Sequence, residues 1–158
     1  MNDENEKPEP SFAIFAECQD FERALIMTGL SFGRLIDDIV KPLEEGEPLF
    51  IDGVPVTKDK VRRIKILRES KNLKHNLADL HWRLRRPPAS ETKVLADQYH
   101  IRVEAILREA SEDVTAQVLK AFDAKIKPKL KDYLPKRQEL LEAALKVFIE
   151  GVKALGKA

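Results

Sequence analysis

Cysteine is nearly absent from this chain: one residue, Cys18, in 158, so no intramolecular disulfide can form. Glycine is scarce too, with six residues dispersed along the chain, and none stands in the strand-loop-helix setting that a phosphate-cradling loop requires. No apolar run approaches the roughly 18 to 20 residues that a helix needs to cross a bilayer, which excludes a helical membrane span. The first ten residues, MNDENEKPEP, are acidic and carry two prolines where a secretory leader would be basic and then apolar. With the lone cysteine, this sets the expectation of a cytoplasmic protein with no membrane partner.

What is present is charge and aliphatic surface. Hydrophobic residues make up 43% and charged residues 35% of the chain, a composition that favours one domain rich in helices and able to bury a core without metal or disulfide. The net charge of +1 conceals a sorting by segment. Residues 1–53 hold 4 basic and 13 acidic side chains (−9), residues 54–86 hold 11 and 3 (+8), and residues 87–158 hold 13 and 11 (+2). An acidic block followed by a basic one can fold face to face, can join copies of the chain, or can leave the basic surface to a polyanion.

Residues 1–10 lack apolar periodicity and are expected to form a flexible acidic tail. Ile14, Cys18, Phe21 and Leu25 recur at helical spacing and predict a first helix over 11–27, with Gly29 as its left-handed cap. Ser31 is placed to cap a second helix carrying Phe32, Leu35, Ile36, Ile39, Val40 and Leu43. In EPLFIDGVPV, Asp52-Gly53 between strand-type residues predicts a two-residue hairpin turn. In RRIKIL, Ile64 and Ile66 alternate with Arg63 and Lys65, which favours a third strand over a short helix. Leucines 73, 77, 80 and 84 form one helical seam that Pro87-Pro88 ends. A long helix follows from Ser90, with a possible break at Ser111, and a last helix carries Leu141, Leu145, Phe148, Val152 and Leu155 after Pro135. The expected fold is therefore mainly α: a bundle of about five helices in a single domain over 11–158. A small β-hairpin, possibly three-stranded, is inserted after the second helix at about 48–67.

The stretch RESKNLKH, with an arginine followed by a histidine across six residues, resembles the motif of the HEPN superfamily of ribonucleases. That resemblance implies a helical dimer in which His75 moves the proton of a ribose 2′-hydroxyl and Arg68 stabilises the phosphate. The motif usually carries a polar residue directly after the arginine; Glu69 is polar but acidic, and it would repel RNA phosphate at such a site. His75 and His81 are six residues apart, about 120° from a shared helical face, so they do not form a metal pair. His100, the carboxylates of Asp37-Asp38 and Glu44-Glu45, and Cys18 on an apolar stripe likewise lack partners at ligand or nucleophile spacing. Neither a metal nor a cofactor is expected.

The sorted charge and the extended apolar stripes favour a non-enzymatic interaction or assembly module, an adaptor or complex subunit. Its acidic N-terminal half and basic middle would guide self-association or docking to a protein partner. The alternative is DNA or RNA binding through residues 58–86. The surface that would meet an acidic partner or a nucleic acid is Arg62, Arg63, Lys65, Lys71, Lys74, Trp82, Arg83, Arg85 and Arg86. The HEPN-like ribonuclease, metal-independent, is the second alternative.

Overall fold

The computed structural model describes residues 10–19, 21, 24–84 and 92–156, with side chains at all of these except 79–84, 92–100 and 154–156. The expected acidic tail, through residue 9, lies outside them. Strands β1 (Phe12–Cys18) and β2 (Leu25–Leu30) come first. Helix α1 (Phe32–Leu35) runs through a π-helical stretch (Ile36–Val40) into α2 (Lys41–Glu45). The hairpin β3 (Leu49–Ile51) and β4 (Val54–Val56) leads into β5 (Val61–Glu69). Helices α3 (Leu73–Leu84) and α4 (Thr92–Ala110), the short β6 (Ser111–Asp113), α5 (Thr115–Lys125) and α6 (Tyr133–Gly156) complete the order.

The expected helical bundle is overturned. The chain builds an α+β fold around a four-stranded antiparallel sheet in the order β2-β1-β5-β6, with β3-β4 as a separate two-stranded sheet. The segment expected as a first helix is the heart of that sheet. Phe12, Ala13, Ile14, Phe15 and Ala16 are all fully buried, so both faces of β1 are covered. A strand covered on both faces presents an unbroken apolar run, and its residues then match helical spacing as readily as strand spacing.

Alternation along β1 divides the interior into two cores. Phe12, Ile14, Ala16 and Cys18 face one of them, together with Ile66 of β5 and residues of α1, α2, the hairpin, α5 and α6. Phe12 meets Phe148 of α6 edge-on with ring centroids 5.4 Å apart, and Phe32 of α1 lies 5.9 Å from the same Phe12 ring. Ala13 and Phe15 face the other core, with Leu67 of β5, Leu73 and Leu77 of α3, and Val103, Leu107 and Ala110 of α4. The sheet is a wall shared by two apolar interiors.

Other local expectations are met or displaced for identifiable reasons. Asp52 (φ 52°) and Gly53 (φ 77°) both take the left-handed conformation that a tight hairpin turn demands, and they join β3 to β4 as expected. Ser31 does cap α1, accepting from the Arg34 amide at 3.2 Å. Gly29 (φ 72°) ends no helix; it sits where the β1–β2 register slips by one residue between Phe12↔Leu30 and Ile14↔Met27, so its freedom serves a bulge in β2. RRIKIL is strand, but within a nine-residue β5 paired along its length with β1 rather than as a third strand of the hairpin. The long third-quarter helix is interrupted at Ser111, where three residues pair with the end of β5 before α5 begins.

Candidate functional site

The basic segment was the sequence's strongest pointer to function, and the fold distributes it along β5 and into α3. Strand alternation sends Arg63 and Lys65 to the sheet face that α4 covers, beside Phe15 and Leu67. There the Arg63 guanidinium bonds Glu17, its cross-strand neighbour in register, and Glu104 of α4 at 3.0 Å. It also stands 5.7 Å over the Phe15 ring. Lys65 lies 3.6 Å from the same Glu104. Lys65 and Glu104 rim a cleft of about 130 Å³ that Phe15, Leu67 and Leu107 floor. The cations are used to hold α4 against the sheet.

Arg68 sits directly opposite Glu112 across the β5–β6 ladder and pairs with it at 3.6 Å. Its neighbour Leu67 packs into the core that α3 and α4 cover, so Arg68 points to the other side of the sheet. His75 is exposed on α3. The arginine and histidine that resemble the HEPN motif therefore lie on a strand and a helix, and no shared helical face brings them together. Arg62, Lys71 and Lys74 are exposed and make no ion pair among the described residues. Arg62 begins β5 while Lys71 and Lys74 follow its end, and a nine-residue strand at about 3.3 Å per residue separates those ends by on the order of 25 Å. The side chains of Trp82 and Arg83, and all of Arg85 and Arg86, lie outside the described residues.

Among the described residues, two carboxylates of the acidic block find partners away from the basic one. Asp37, brought to the interior side by the π-helical stretch, accepts from the Tyr133 hydroxyl and from Nε and Nη2 of Arg137 at 2.9 and 2.7 Å. Burial together with the Asp37 carboxylate holds the Tyr133 hydroxyl above its ordinary pKa, while the hydrogen bond to Asp37 holds the Arg137 guanidinium above its own. Glu44 pairs with Lys127 at 2.5 Å. Helices α1–α2 are thus clasped to α5–α6, while the Glu17–Arg63 pair links the acidic block to the basic one.

One feature of the fold has no backbone partner among the described residues, and no sequence expectation points to it. Strand β2 is the edge of the main sheet, and among the described residues no backbone–backbone hydrogen bond reaches Leu25–Leu30 apart from its ladder to β1. Its N-terminal four residues, Leu25, Ile26, Met27 and Thr28, are uncharged and half-buried. The C-terminal end is occupied: Glu69 accepts the Gly29 amide at 2.5 Å, and the Lys74 ammonium packs against the same glycine. Two exposed apolar side chains belong to segments that adjoin β2. Phe21, 41% exposed, lies just before it, and Phe50, 58% exposed, is on the hairpin whose Asp52 amide donates to Met27 Sδ at 3.5 Å. The signal available in the sequence was the pair of short apolar runs FAIFA and ALIM on either side of the polar ECQDFER, a hairpin pattern.

Among the described residues, no helix is long and apolar enough to cross a membrane, and no group of three or more His, Cys, Asp or Glu is arranged to hold a metal ion. No family model, no curated protein and no solved structure matches this chain.

Proposed function

We propose that the protein is an interaction module, an adaptor or complex subunit that works by binding another polypeptide. The observation that carries this reading is the outer edge of β2, which no backbone among the described residues pairs. Natural sheets protect their edges with charge, proline or covering loops, because a row of unpaired N–H and C=O groups templates a further strand. Leu25–Thr28 has no charge and no proline, and it adjoins exposed Phe21 and Phe50. The docking element in this reading is a strand edge with an apolar margin, and the opposed acidic and basic blocks act mainly within the fold.

A photo-crosslinking side chain placed at Thr28 tests it. The expected result is a discrete polypeptide adduct at that position and none from the same group at Lys146, on the outer side of α6. No adduct at Thr28 in cells expressing the full chain overturns the reading. Polyanion binding is a second reading, supported by the exposed cations Arg62, Lys71 and Lys74. It expects retention of a labelled oligonucleotide that weakens log-linearly with salt. With the free cations split between the two ends of β5, the first reading expects only weak retention at low salt.

A further inference from the structure

We infer that the occupant of the β2 edge is β2 of a second copy, paired antiparallel about a two-fold axis so that one continuous sheet runs through both chains. The inference rests on the interaction-module reading and specifies its partner. An antiparallel self-pairing has its axis perpendicular to the sheet, so each residue and its copy share a face and the axis must pass through a residue position. Centring it on Met27 sets Met27 opposite its own copy and Ile26 opposite Thr28 of the other chain. This register uses only the unoccupied part of the strand. The bulge at Gly29, closed by Glu69 and Lys74, falls at each end of the paired stretch.

Three features favour a second copy over a foreign strand. Leu25–Thr28 carries no charge, so no like charges meet when the strand faces itself. The register pairs β-branched Ile26 with β-branched Thr28 twice, a favoured cross-strand combination. Ile26 and Thr28 share the face of the second core, where Ile26 packs at its margin, so the apolar layer under α3 and α4 would continue across the axis. The exposed Phe21 and Phe50 come from segments beside this edge in both copies and would gain cover together.

The test uses the full chain. Light scattering across a concentration series is expected to give a mass rising from 18.0 kDa to twice that value. Thr28→Lys, which puts an ammonium group on the paired edge, is expected to shift dissociation to at least tenfold higher concentration with an unchanged far-UV circular dichroism spectrum. Because that variant could also disturb the fold, a second measurement stands beside it. Oxidising a mixture of Ile26→Cys and Thr28→Cys chains should give the mixed disulfide dimer, since Cys18 is buried and does not compete. A monomer at every concentration overturns the inference, as does a dimer that Thr28→Lys leaves intact and that forms no mixed disulfide. A monomer that still gives a Thr28 photo-adduct with a different polypeptide would overturn self-pairing and leave the interaction module standing.

Discussion

At the scale of single residues, Tyr133 and Arg63 show what charge does in this molecule. Tyr133 is 2% exposed and donates its hydroxyl to Asp37, which also receives two hydrogen bonds from Arg137. Removing the hydroxyl in Tyr133→Phe leaves a part-buried carboxylate short of one donor, at a cost of about 1–3 kcal/mol that a urea melt would read. The sign of the pH dependence follows from the raised tyrosine value, set by burial and then by Asp37. The folded state holds the proton more tightly than the unfolded chain, so this stabilisation is complete below the ordinary value near 10 and declines as pH rises above it. The wild type should therefore lose stability faster than Tyr133→Phe between pH 10 and pH 11.5. Equal alkaline slopes in the two proteins would refute the assignment. Arg63 is 42% exposed despite its two carboxylate partners, and water screens much of that attraction. Arg63→Met should cost about 1 kcal/mol or less, with the difference from wild type shrinking as salt is added.

At the scale of elements, Gly29 joins what was legible in the sequence to what was not. Its need for a positive φ was readable, and the element it serves was not. Helical spacing at Ile14, Cys18, Phe21 and Leu25 arises because β1 is buried on both faces, so apolar residues fill successive positions and no period of two is left to see. One-sided elements were readable for the opposite reason. The hairpin turn at Asp52-Gly53, the capped helix after Ser31 and the stripe through Leu141, Leu145 and Phe148 each keep a polar side that fixes the period. The same distinction governs the candidate site. The basic segment advertised itself by composition, yet Arg63, Lys65 and Arg68 proved to be cross-strand and strand-to-helix ties, because register and pleat decide which carboxylates they meet. The free edge has no compositional mark and emerges only from the strand order. Gly29→Ala tests the bulge that ends this edge. An L side chain at φ 72° is strained by about 1–2 kcal/mol, and its Cβ would come within 3.4 Å of the Lys74 ammonium, so the urea midpoint should fall. A midpoint unchanged from wild type would mean that the bulge does not constrain the folded state.

At the scale of the whole molecule, the shared sheet makes a claim about cooperativity. The α5–α6 core and the α3–α4 core touch opposite faces of β1 and β5, and neither covers its own strands completely without the other. Loss of either set of helices would expose one face of β1, where five consecutive residues are fully buried, so partial unfolding carries the hydrophobic penalty of that whole face of the sheet. Phe148 belongs only to the first core and packs on Phe12 and Phe32. Its truncation in Phe148→Ala should destabilise by about 3–5 kcal/mol. The chain's single tryptophan, Trp82, belongs to α3, on the other side of the sheet, and its fluorescence gives that helix a signal of its own. If the sheet couples the two interiors, denaturation followed by Trp82 fluorescence and by far-UV circular dichroism will coincide in the wild type, and Phe148→Ala will move both transitions by the same amount. A fluorescence transition that stays in place while the circular dichroism transition shifts would show that α3 and α4 unfold on their own. The sheet would then be a surface on which they rest rather than a wall they share.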